Sequence, residues 1–214
     1  MATLHKGSSG KATMRMFPLA FAKAAAPRLW HTCHPEPAMS AALDIFPLPP
    51  KTEDERLAAV ERYDILDTPK EPAFDRIAAL VRLIFGVETS IVSLIDAHRQ
   101  WYKASEGTPL SEVPIGETFC RFVMPGTEAM IVPDASQDER FRNSPHVTAD
   151  KGVRFYASVP LTTEDGFNIG TICAIDSHPR QFSIREVEIF RELACIAVSE
   201  MELRRLATSD ALTG

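Results

Sequence analysis

A chain of 214 residues, 45% hydrophobic and 24% charged, holds enough apolar material to bury a core of ordinary size, or two small ones, without staples. A formal net charge of −6 and a pI near 5.5 argue against nucleic acid as the main partner, because phosphate binding asks for a positive surface. No run approaches the roughly 20 apolar residues that cross a bilayer. The four cysteines (Cys33, Cys120, Cys173, Cys195) are scattered without a CxxC pair, so no membrane span, zinc site or disulfide framework is expected, and a reducing cytoplasm is the natural setting.

Residues 1–38 differ from the rest, with Lys6, Lys11, Arg15, Lys23 and Arg28 all preceding the first acid, Glu36. Two readings follow. One is a targeting sequence, although Pro18 and Lys23 interrupt its apolar stretch. The other, favoured by composition, is an unstructured extension or an upstream start ahead of Met39. Pro47, Pro49 and Pro50 make 40–52 an extended linker, so 1–52 forms one N-terminal segment.

Helical signals begin at Thr52, which has capping-box spacing to Glu55, and an apolar stripe of Leu57, Val60, Ile65 and Leu66 predicts a helix as far as Asp67-Thr68-Pro69. Pro72 opens a second helix whose Phe74, Ile77, Leu80, Val81 and Ile84 share a face, and Gly86 ends it. Residues 89–96 and 100–106 read as strands of a hairpin, 107–116 as a loop, and Glu117–Met124 as one short helix. Met130–Pro133 is a short strand, and 134–153 a long polar loop with small helical turns, the kind of segment that often carries function. Phe155–Thr163 and Phe167–Asp176 flank the turn Glu164-Asp165-Gly166. Ser183, with Glu186 in capping-box position, starts a long helix to about Leu206. Its apolar positions drift between three- and four-residue spacing, which suits a sheet early and a partner helix late. Hairpins and helices in this order define an α+β class with an antiparallel sheet and helices on one face.

The blocks "RLAAVERYDILDTPKEPAFDRIAALVRLIFGV", "SIVSLIDAHRQWYKASEG", "ETFCRFVM", "IVPDASQDERFRNSPHVT", "GVRFYASVPL" and "GTICAID" together resemble a GAF domain of the kind found at the front of bacterial diguanylate cyclases and histidine kinases. That resemblance implies a six-stranded antiparallel sheet, helices packed behind it and a small-molecule cavity on the other face. It divides the chain into a sensory core at 53–182, a connecting helix at 183–206, and 207–214. The last stretch, within "LATSDALTG", resembles the junction that opens a GGDEF diguanylate cyclase domain whose own loop is not in this sequence.

Candidate ligand contacts are Trp101, Phe119, Phe155 and Tyr156 as stacking faces, with Cys120, Arg121, Asp134 and His146 as polar groups; Arg140 and Arg154 lie near the same loop. Each has a plainer role as core or solvated surface. Cys120 at a helix start is a candidate reactive thiolate. Relatives that attach a bilin usually place a histidine beside the cysteine, where this chain has Arg121. Relatives that reduce free methionine sulfoxide need a second thiol, and their catalytic-cysteine block reads Phe155-Tyr156-Ala157 here. No nucleotide-binding signature, metal pattern or cofactor site is visible. The expected function is a non-catalytic sensor for a small molecule or redox cue in cyclic di-GMP signalling, homodimeric through its last helix. The alternatives are a ligand-free dimerisation scaffold and a methionine sulfoxide reductase.

Overall fold

A computed structural model describes residues 52–213; the readings placed on residues 1–51 and on Gly214 lie outside that range. The two helices preceding the sheet are α1 (Glu53–Glu61) and α2 (Pro72–Phe85). Thr52 and Glu55 form the reciprocal capping box of α1, while Pro72 starts α2 and Gly86 closes it in the left-handed conformation at φ +62°.

The first helix is shorter than its apolar stripe predicts. The chain leaves the helix after Glu61, with Asp64 and Asp67 at positive φ. Arg204 of the last helix donates to the carbonyls of Tyr63 (3.2 Å) and Asp64 (2.8 Å), and the Tyr63 hydroxyl bonds Glu202. These tertiary bonds satisfy a turn that holds Tyr63 and Ile65 in the core, which a continued helix would not allow.

Six strands follow: β1 (Thr89–Ile95), β2 (Arg99–Glu106), β3 (Glu112–Pro114), β4 (Met130–Val132), β5 (Phe155–Thr162) and β6 (Asn168–Asp176). They form a single antiparallel sheet in the order β3-β2-β1-β6-β5-β4. The strand β3 lies in a segment expected to be loop. It is pinned to β2 by Tyr102 N–H to Ser111 O and Ile115 N–H to His98 O, both 2.8 Å.

The pleat sorts side chains to two cores. On the helix side, Val92 and Leu94 of β1, Ala157 and Val159 of β5, and Ile172 and Ala174 of β6 pack against α1, α2 and the last helix, α4 (Ile184–Thr213). On the other side, Ile91, Ile95, Tyr102, Tyr156 and Cys173 meet the covering segments, which include the short helix α3 (Pro145–Thr148) within the long loop.

A bulge in β2 breaks the alternation. Ser93 pairs with Tyr102 and Val92 with Ala104, leaving Lys103 unpaired between them. The extra residue leaves Lys103 and Ala104 both in the helix-side layer, where the lysine ammonium meets Thr68 Oγ1 at 2.9 Å, Pro69 O at 2.7 Å and Glu71 Oε1 at 2.6 Å.

The helix α4 begins with the expected Ser183–Glu186 capping box and runs beyond Leu206 to Thr213. Its approach from β6 is tied down. Asp176 accepts from His178 N–H at 2.9 Å and pairs with Arg180 at 2.7 Å, and Arg180 donates to Phe85 O (3.1 Å) and Gly86 O (2.6 Å). The end of α2 and the exit from the sheet are therefore one hydrogen-bonded unit.

Candidate functional site

A cavity of about 230 Å³ lies on the face of the sheet away from the helices. Ile91 of β1, Gln100 and Tyr102 of β2, Tyr156 of β5, and Cys173 and Ile175 of β6 form its floor. The segment from Gly107 to Cys120 and two residues of the long loop, His146 and Val153, form its roof. Gly107 fits the rim because its φ of +83° suits glycine, and an added Cβ would sit 2.0 Å from Glu88 O. Arg154 holds the roof by donating to the carbonyls of Val147, Gly152 and Val153 at 2.9–3.1 Å. The volume lies somewhat below the roughly 300–1,000 Å³ usual for small-molecule sites.

Residues 117–124 do not make the short helix that their sequence suggests. A single 3-10 turn forms at Cys120–Phe122. Thr118, Phe119 and Cys120 are all buried, and no one face of an α-helix presents three successive residues inward. The Thr118 hydroxyl instead accepts from Cys120 N–H at 3.1 Å and donates to Gln100. With so short a turn, the helix dipole contributes little to the thiol, and the local hydrogen bonds decide its character.

Those bonds form a compact cluster. Cys120 Sγ lies 3.0 Å from the Tyr156 hydroxyl, 3.1 Å from Thr171 Oγ1 and 3.3 Å from Cys173 Sγ. Cys173 Sγ lies in turn 3.3 Å from Thr171 Oγ1 and 3.6 Å from Ser158 Oγ. Burial alone would raise the Cys120 pKa, but hydrogen bonds from Cys173, Thr118, Thr171 and Tyr156 outweigh it and hold the thiol below its ordinary value. Burial, reinforced by its neighbour Cys120, pushes Cys173 well up. Burial and the two sulfurs likewise keep the Tyr156 phenol protonated, as a donor.

Of the eight candidates, four line the cavity: Phe119, Cys120, His146 and Tyr156. Phe119 stacks on Phe141 at 4.2 Å and meets Tyr156 edge-on at 5.3 Å. The other four stand elsewhere. Trp101 lies in the helix-side core, 5.9 Å from the Lys103 ammonium, and Phe155 packs there against Phe182 at 4.8 Å. Arg121 is exposed and donates to Gly116 O, while Asp134 receives Ser136 N–H and Oγ–H in a local turn. Of the two arginines near the loop, Arg140 is exposed and pairs with Asp138.

Gln100, Thr118 and Thr171 join the site without being among the sequence candidates, and Cys173, there only one of the scattered thiols, joins them. Thr171 and Cys173 stand out as polar side chains within an otherwise apolar strand, since a buried polar group requires partners; Gln100 and Thr118 carry no such signal. Among the lining residues no lysine or arginine appears, and one carboxylate-bearing residue, Glu117, lies 4.0 Å from the His146 ring.

An antiparallel sheet with helices on one face and a small cavity under loops on the other defines a cavity-bearing α+β domain. The GAF domain family matches residues 69–198, and the chain belongs to that family. It is 33% identical over 160 residues to a cyclic di-GMP phosphodiesterase of Pseudomonas aeruginosa, an alignment covering 73% of this chain and 27% of that relative. The chain thus spans about a quarter of the length of the curated relative it matches.

Among solved structures, the GAF domain of an Acinetobacter phosphoenolpyruvate-protein phosphotransferase aligns with a TM-score of 0.53 at 18% identity, covering 70% of this chain and 92% of that one. A free methionine-R-sulfoxide reductase of Neisseria meningitidis, in complex with its substrate, aligns with the same TM-score at 22% identity, covering 72% and 91%. At these identities the likeness concerns the fold. No described helix is long and apolar enough to cross a membrane.

Proposed function

We propose that this domain is the sensory part of a bacterial cyclic di-GMP signalling protein, non-catalytic in itself, whose cavity takes a small molecule or redox cue that α4 passes on. The observation that carries the reading is the cavity floor formed by β6, because the same strand leads through Asp176 and Arg180 into α4. A cue that shifts β6 thereby biases the exit helix. A coupling of about 1–3 kcal/mol is enough for regulation.

The signalling context draws support from the Pseudomonas aeruginosa relative, whose name places it in cyclic di-GMP turnover. A diguanylate cyclase as output rests on the resemblance of residues 206–214 to the junction that opens GGDEF domains. Cyclic di-GMP itself is a poor occupant for this cavity. Its two phosphates and two guanines exceed a cavity of about 230 Å³, and no lysine or arginine lines the wall to pair with the phosphates.

A thermal-shift screen of the purified chain against small uncharged and zwitterionic metabolites tests the cavity. A binder raises the melting temperature by mass action, by about 2.7 kcal/mol of added stability at a hundred times its dissociation constant. A flat response across the library would leave the dimerisation scaffold as the better account.

Dimerisation through α4 is part of the same proposal. Ile196, Leu203 and Leu206 of α4 are exposed, and so are Leu80, Leu83 and Ile84 of the adjacent α2. Leu203 is 61% exposed, an apolar residue that nothing among the described residues covers. Sedimentation equilibrium is expected to give a dimer that Leu203→Glu converts to a monomer without lowering its melting temperature by more than a few degrees. A wild-type chain that stays monomeric at all concentrations would remove this part.

The adjacent sulfurs favour one further reading, reduction of methionine sulfoxide by Cys120 with Cys173 resolving the intermediate. Turnover coupled to thioredoxin and NADPH, abolished in Cys120→Ser, is its criterion.

A further inference from the structure

We propose that Cys120 and Cys173 are a modification site at the base of the cavity, a dithiol that a hydroperoxide closes to an intramolecular disulfide. The proposal rests on the cavity being the sensory site, and it names the chemistry of one cue.

Geometry comes first. The two sulfurs are 3.3 Å apart although 53 residues separate them in the chain, and both line the cavity, so a small oxidant entering it meets them directly. A disulfide needs them at about 2.05 Å. One sulfur sits on a 3-10 turn and the other on the sheet, so side-chain rotation and a small shift of the turn supply the remaining approach.

The neighbours assign the roles. Thr171, Tyr156 and Cys173 all lie within hydrogen-bond reach of Cys120 Sγ, so a thiolate there has donors around it. Cys173 remains the protonated partner, because one buried charge discourages a second beside it.

The reaction balances in two steps. The Cys120 thiolate attacks the distal oxygen of the hydroperoxide and the O–O bond breaks. This leaves Cys120 as a sulfenic acid and releases an alkoxide, or hydroxide, that takes up a proton. The Cys173 thiol then displaces the sulfenic hydroxyl, the S–S bond forms and water leaves. Overall, two thiols lose two protons and two electrons, and the peroxide is reduced to an alcohol or water. A dithiol reductant reverses the change by exchange. The bond ties the roof of the cavity to β6, the strand that continues into α4.

The test uses the full chain carrying Cys33→Ser and Cys195→Ser, so that only the pair remains. One equivalent of hydrogen peroxide is expected to lower the intact mass by two hydrogens and yield a Cys120–Cys173 cross-linked peptide, with dithiothreitol restoring both thiols. In Cys173→Ser, dimedone is expected to trap a sulfenic acid on Cys120. In Cys120→Ser, with native circular dichroism, Cys173 should stay unlabelled.

Two thiols that persist, or that oxidise singly without a cross-link, would overturn the proposal. So would a pair that responds to free methionine sulfoxide and not to peroxide. The metabolite screen repeated on Cys120→Ser/Cys173→Ser separates this idea from its foundation. Retained binding with no wild-type disulfide sinks the dithiol alone, whereas a disulfide with no binder anywhere leaves the dithiol and removes the small-molecule cue.

Discussion

Replacing Phe190 by alanine is expected to destabilise the domain by about 3–5 kcal/mol, the usual range for truncating a fully buried phenylalanine. The ring is wholly buried where α4 crosses the sheet, meeting Phe85 of α2 edge-on at 5.3 Å and Phe182 at 6.2 Å. Phe182 in turn packs at 4.8 Å on both Phe85 and Phe155, so four aromatic rings join α2, α4 and β5. A hole at Phe190 is poorly refilled, because the two rings it meets, Phe85 and Phe182, are held by separate segments of backbone. Set against a total stability of typically 5–15 kcal/mol, the loss is large, and urea unfolding with an unchanged slope would measure it. Ile184→Ala, at an exposed position six residues earlier, is the control and should fall within about 0.5 kcal/mol of wild type. A cost below about 1 kcal/mol for Phe190→Ala would mean that α4 does not dock as described.

Lys103→Met is expected to cost about 2–4 kcal/mol, somewhat below the range for breaking a fully buried ion pair. The reduction arises because Glu71 is 35% exposed and keeps its second partner, Arg204, at 2.9 Å. Methionine fills most of the stem's volume, so the loss comes from the ammonium, whose three donors meet three acceptors on the 68–71 turn. Without it, Pro69 O loses its charged donor.

The pH dependence has a definite sign. Burial works to raise the Glu71 carboxyl, but hydrogen bonds and charge from Lys103 and Arg204 bring it below the usual carboxylate value. A carboxylate depressed in the folded state stabilises above its unfolded pKa of about 4.3 and loses that contribution as pH falls through the folded value. Wild type should therefore lose stability on acidification through this window, and Lys103→Met should lose less. Unfolding measured between neutral pH and about pH 3 checks both the cost and the flattening. Parallel acid limbs for the two proteins would contradict the assignment.

Several elements were legible because local chemistry and tertiary packing agree. Thr52 with Glu55, Pro72 with Gly86, and Ser183 with Glu186 mark helix ends that the structure places there, and the buried strands sit where β-branched and apolar runs predicted them. The site was less legible, for a reason visible in two dipeptides. Trp101-Tyr102 and Phe155-Tyr156 each pair two aromatics on one strand, so one ring must face the helices and the other the cavity. Side-chain periodicity does not say which, since shifting the parity by one exchanges the two faces. A bulge at Lys103 further hides the parity of β2. The proximity of Cys120 to Cys173 depends on a covering segment folding over a strand 53 residues later, which no local pattern encodes.

The scarcity of cations in the cavity wall has a consequence for what reaches it. Attraction between a charged ligand and a charged site fades as ionic strength rises, whereas contact with apolar and hydroxyl-bearing walls barely responds. Occupancy of the cavity by an uncharged compound should therefore differ little between low and high salt, which thermal-shift titrations at two ionic strengths would show.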